Sequence, residues 1–139
     1  MAPVHCMPSF DLELPATVEH LAEARSRLRA WLADEVADAE AGDDLLTVAG
    51  EFFLHVVYRT GALGRARITA DHGPGGVRLA VTSARRAPGV RALAPPSDPL
   101  ADGALGLRLV EGCCDEIRVA GPGDPTVGAE CFRVVRATG

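Results

Sequence analysis

No lysine, asparagine or glutamine occurs anywhere in the 139 residues, and all 14 basic side chains are arginine. A site that needs a lysine ammonium or a side-chain carboxamide is therefore absent or built from other groups. Long apolar runs are also missing, and none approaches the length that spans a membrane. The opening MAPVHCMPSF has neither the basic flank nor the apolar stretch of a secretory leader, which leads to the expectation of a cytoplasmic protein. The four cysteines, Cys6, Cys113, Cys114 and Cys131, show no CxxC spacing, and in a reducing compartment they read as buried or idle thiols. Internal repeats and low-complexity segments are absent as well.

What is present is the composition of a globular domain, 47% hydrophobic and 24% charged. The net charge of -5 would repel phosphates, which speaks against nucleic acid as the main ligand. The length suits one domain spanning residues 1–139, with residues 1–8 expected to be a flexible start.

FDLELP (Phe10 to Pro15) alternates apolar and acidic residues and stops at proline, which predicts a strand with one buried face. A helix is expected next, with Thr17 as N-cap and Val18, Leu21, Leu28, Trp31 and Leu32 on its apolar stripe. Its other face is charged, carrying Glu19, Glu23, Arg25, Arg29 and Asp34. A second helix, capped by Asp43 or Asp44 and running to about Arg59, is apolar on most sides and should be largely buried. RARITAD and VRLAVTS alternate around HGPGG, which predicts a hairpin. Residues 84–102 hold four prolines and no period, the pattern of a long loop or lid. A short helix at GLRLVEGCC and two strands, DEIRVAG and AECFRVVRA, complete the order β-α-α-β-β-loop-α-β-β.

This order and three local sequences resemble the GHKL (Bergerat-fold, HATPase_c-like) ATP-binding superfamily, over Phe10 to Val135. Within it they resemble the anti-sigma-factor and serine-protein-kinase branch of bacterial partner-switching systems. LELPATVEHLAEARSRLRAWL looks like that branch's opening strand and Arg-rich helix. The resemblance implies an α+β fold: a two-layer sandwich with a mixed, mostly antiparallel sheet of about five strands, covered on one face by about three helices.

It also implies a set of site positions, and most are altered. In the family's ExxxN motif the glutamate serves the attacking hydroxyl or water and the asparagine ligates magnesium. Glu51 is kept here, and His55 stands at the asparagine position. Magnesium prefers oxygen ligands, so an imidazole is a poor replacement, and the chain has no carboxamide to substitute. Ser83 matches the aspartate that accepts the adenine amino group, and it offers a single uncharged hydroxyl. Arg85 and Arg86 beside it can meet phosphates, an acidic partner or only solvent. In the family's GxG helix start, Gly103 sits one place early, Ala104 replaces the first glycine and Gly106 is kept. Gly128 is kept in the last strand, with Ala129 where the family commonly has threonine.

If each lost contact costs about 1 kcal/mol, three or four losses weaken nucleotide binding by roughly two to three orders of magnitude. The strand alternation and core helices survive, so the reading is a regulatory, anti-sigma-like binding module in which Glu51 is vestigial and no cofactor is expected. The resemblance implies a sigma factor or a STAS-type anti-sigma antagonist as partner, and a homodimer. The charged helix face and residues 84–102 are the candidate contact surfaces. An active ATP- and magnesium-dependent serine kinase, with His55 adapted as a ligand, is the alternative. A third reading places zinc on His55 with Cys113 or Cys114.

Overall fold

The computed structural model describes residues 9–60, 64–85, 110–119 and 127–135. Strand β1 (Ser9–Pro15) is followed by a 3-10 turn at Val18–His20, then by helices α1 (Leu21–Glu35) and α2 (Ala39–Thr60). Strands β2 (Arg65–Gly73) and β3 (Gly76–Arg85) form the expected hairpin, and β4 (Glu116–Val119) and β5 (Gly128–Val134) close the chain's regular structure. Residues 110–113 are helical and Cys114 is already outside the helix; residues 106–109 of the helix expected over 106–114, and most of the 84–102 loop, lie outside the described residues.

The five strands make one sheet in the order β1-β2-β3-β5-β4. All four neighbouring pairs are antiparallel, which bears out the mostly antiparallel five-stranded sheet and leaves no parallel pair among the described strands. Strands β2 and β3 are joined by a tight turn, β1 and β2 by the two helices, and β5 inserts between β3 and β4.

Alternation gives the sheet two distinct faces. On one, Leu14, Ala66, Ile68, Ala70, Val77, Leu79, Val81, Ala129 and Cys131 are buried. Helices α1 and α2 cover this face, with Ala24, Leu28 and Leu32 of α1 and nine residues of α2 in the core. Phe10 of β1 meets Trp31 of α1 with ring centroids 6.0 Å apart, which ties the edge strand to the outer helix. The opposite face carries cross-strand pairs such as Arg67 Nε to Asp11 Oδ1 at 2.9 Å and Arg65 Nε to Glu13 Oε2 at 2.8 Å.

Three helix expectations need correction. Thr17 bounds the 3-10 turn instead of α1, and its Oγ1 lies 2.7 Å from His20 Nδ1. Val18 consequently falls outside the phase of α1 and is 54% exposed, while Ala24 takes a core position. The cap of α2 is Asp38, whose Oδ1 accepts from the Ala41 backbone N–H at 3.2 Å; Asp43 and Asp44 lie inside the helix.

The hairpin turn needs its glycine. A Cβ on Gly76 would run into the Arg133 carbonyl oxygen and stand 2.9 Å from Val134 Cα, so only a residue without one lets β5 come this close.

Candidate functional site

Helix α2 positions the first group of candidates. At about 100° per residue, Asp44, Glu51 and His55 fall within about 40° of one another around the axis. All three are half-buried, as expected at the margin between the core arc and solvent. The other margin, at Gly50, faces α1, where an added Cβ would be 3.9 Å from Arg25 Cδ. Glu51 and His55 therefore lie on the edge of α2 turned away from α1, the edge on which Asp44 reaches β5.

One further turn on, Arg59 continues the spacing Glu51, His55, Arg59. Burial lowers the pKa of His55 below the ordinary 6.5, and the positive charge of Arg59 lowers it further. The imidazole is thus held toward its neutral form, and a guanidinium stands beside it. Sequence reasoning singled out Glu51 and His55 and passed over Arg59, although the four-residue step was there to read.

Ser83 sits within β3, opposite Ala66 of β2. Counting by twos from Val77, Leu79 and Val81 puts its side chain on the helix-covered face. Its backbone N–H donates to the Val127 carbonyl at 2.7 Å. Its Oγ, like Arg59 Nε, is shut off from solvent without a hydrogen-bond partner. Each such orphaned polar group costs about 1–3 kcal/mol. Gly128 pairs with Thr82 beside it. An added Cβ there would come 2.6 Å from the Val81 carbonyl oxygen, so the close approach of β5 to β3 accounts for this glycine within the sheet itself. Ala129, buried on the helix face, pairs with Val81. Gly103, Ala104, Gly106 and Arg86 lie outside the described residues, and of Arg85 only the backbone, at the end of β3, is described.

The cysteines belong to the far end of α2. Asp44 Oδ2 is 3.0 Å from Arg133 Nη2, and Asp115 Oδ2 is 3.9 Å from Arg133 Nη1. Burial, with the Asp44 carboxylate beside it, raises the Cys113 thiol. Cys114 is pushed up to about 11 chiefly by burial, and its Sγ donates to the Val110 carbonyl at 3.1 Å. Burial raises Cys131 as well, and all three described cysteines are free thiols. Since Cys113 adjoins Asp44, eleven residues before His55 on α2, about 16 Å of helix separates the two. The arrangement does not bring His55 and the cysteines together. Among the described residues no group of three or more His, Cys, Asp or Glu side chains is placed to hold a metal ion.

Residues 14–129 match the family model of the histidine kinase-like ATPase domain. Among solved structures the chain is similar to the crystal structure of the RsbU and RsbW domains of Rv1364c from Mycobacterium tuberculosis, at 22% identity and a TM-score of 0.68. That likeness covers 94% of this chain and 33% of the other, so the chain spans about a third of that structure's length. No curated protein is detectably similar in sequence. Among the described residues no helix is long and apolar enough to cross a membrane.

Proposed function

Starting from the histidine kinase-like ATPase domain family, to which this chain belongs, we propose that it is a regulatory member acting by protein–protein contact, with nucleotide binding weak or lost. The observation that carries this reading is the placing of a half-buried His55 on α2 with Arg59 one helical turn later. Where the family resemblance calls for an oxygen ligand to magnesium, this chain has an imidazole next to a guanidinium. Magnesium demands near-octahedral oxygen coordination, and a fixed positive charge nearby opposes any divalent cation. Glu51 supplies one carboxylate on this edge, and the chain holds no carboxamide to add a second oxygen. These residues do not fit a magnesium–nucleotide complex, and no catalytic step is assigned through one.

The partners this reading names are those of the anti-sigma branch, a sigma factor or a STAS-type antagonist, with a homodimer as the assembly. The charged outer side of α1 and the 3-10 turn before it supports it as a contact surface, since Glu19 of the turn and Glu23, Arg25, Arg29 and Asp34 of α1 are all exposed. One ion pair on that face, Arg27 to Glu23 at 3.8 Å, is too exposed to add more than about 0.5 kcal/mol to stability, so the charges are not there for the fold. Affinity capture from the native host, with and without magnesium-ATP, tests the reading. A sigma factor or STAS-domain protein retained equally in both conditions is expected, and retention that requires ATP would contradict it.

A further inference from the structure

Arg59 and Ser83 each bring a buried polar atom with no partner to the same end of the helix layer. The fold places them there together. Helix α2 ends at Thr60, the chain enters β2 at Arg65, and Ala66 of β2 pairs directly with Ser83. Ser83 points to the helix-covered face of the sheet, where the last turns of α2 lie.

The chemistry of the two groups narrows what they can hold. A guanidinium only donates, and it carries a charge that does not titrate away. None of the ion pairs among the described residues involves Arg59. His55, one turn earlier on the same side of α2, is neutral or cationic and in neither form supplies a counter-charge. Glu51 is two turns earlier on the helix, about 12 Å along the axis, and about 80° away around it. A neutral acceptor such as a carbonyl could satisfy the buried Nε but would leave the half-buried guanidinium without an ion-pair partner among the described residues. An anionic oxygen acceptor answers both needs, because it accepts from the guanidinium and from the serine hydroxyl.

We infer that this end of the helix layer takes an oxyanion, a carboxylate or phosphate group, that accepts from Arg59 Nε–H and Ser83 Oγ–H. The inference rests on the proposed reading in which Ser83 stands where the family resemblance has a carboxylate acceptor for a base. It goes beyond that reading in naming what the replacement residues bind. A serine in place of a negative acceptor, with Arg59 at the end of α2, gives the site a preference for negative charge.

An NMR titration of nitrogen-15-labelled protein with sodium phosphate, and separately with sodium acetate, tests this at ionic strength held constant with sodium chloride. The Arg59 Nε–H signal, assigned by its loss in Arg59→Lys, is expected to move saturably with one or both anions. Phosphate alone would identify a phosphoryl group, and movement with both a carboxylate-sized oxyanion. Arg59→Gln is expected to weaken binding at least about tenfold and Ser83→Ala about threefold or more. A signal unmoved by either anion at tens of millimolar, or equal affinity in both variants, would overturn the inference. Reading the signal in the wild-type chain keeps the test valid if a variant fails to fold. Micromolar binding of magnesium-ATP would contradict the weakened nucleotide pocket and not this inference, since the Arg59 signal reports on the small anions independently.

Discussion

Arg133 of β5 and Asp44 of α2 form a 3.0 Å ion pair that joins the start of the buried helix to the sheet. Both side chains are about three-quarters shielded, at 21% and 25% exposure. Asp115 adds to the joint by accepting from the Val134 backbone N–H at 2.7 Å. Arg133 Nε is already without a partner, so removing Asp44 leaves the guanidinium with the longer contact to Asp115 and a 3.3 Å hydrogen bond from Nη1 to the Val134 carbonyl. Asp44→Ala should therefore cost about 1–2 kcal/mol, between the values for exposed and buried pairs. Arg67→Ala, which breaks an exposed pair with Asp11, should cost less than about 1 kcal/mol. Urea unfolding midpoints measure both, and equal losses would show that shielding is not what matters.

Two glycines should respond in opposite directions to the same added methyl group. Gly128→Ala forces a Cβ to 2.6 Å from the Val81 carbonyl oxygen and 2.9 Å from Thr82 Cα, where neighbouring backbone has to move. A loss of about 1–3 kcal/mol or more is expected. Gly42→Ala adds its Cβ in the first turns of α2 with nothing within 4 Å, and should gain about 0.5–1 kcal/mol from helix propensity. Thermal or urea denaturation of the two variants tests the sheet contact that accounts for Gly128.

His55 gives the fold a dependence on pH with a defined sign. Its pKa is lower in the folded chain than the ordinary 6.5, so the unfolded chain binds more protons between those two values. Stability therefore rises with pH through that window, and a penalty grows as pH falls below about 6.5. Replacing His55 with Gln removes the titrating group, so the variant's stability should fall less than the wild type's between about pH 7.5 and pH 5. Parallel curves for the two proteins would show that His55 does not feel Arg59 and its burial as described.

Much of this architecture can be read in the sequence, for identifiable reasons. The strands announce themselves because Phe10, Leu12 and Leu14, or Val77, Leu79 and Val81, repeat at the period of a pleated sheet. Helix α2 is visible from its wide apolar arc, and Glu51 with His55 from their four-residue step. The caps are harder, because DAEAGDD offers three aspartates and only packing selects Asp38. Val18 shows the same limit, since one 3-10 turn shifts it out of phase with Leu21 and Leu28. The Asp44–Arg133 joint cannot be seen locally at all, because it depends on β5 lying beside β3. The unpartnered Ser83 Oγ likewise depends on burial, which a lone serine at the end of a strand does not reveal.

The proposal that nucleotide binding is weak or lost is tested most directly by isothermal titration calorimetry of the full chain with magnesium-ATP. Losing three or four polar contacts at about 1 kcal/mol each should move binding from the micromolar range to about millimolar or weaker. On this proposal His55→Asn alone should leave the protein unable to phosphorylate a STAS-type partner, because Ser83 still stands where the resemblance has the base-binding aspartate and Arg59 remains at the next turn of α2. Expected is no resolvable heat of binding at micromolar protein, for the wild type and for His55→Asn alike. Saturable micromolar binding by the wild type would contradict the proposal that the chain works by protein contact without nucleotide.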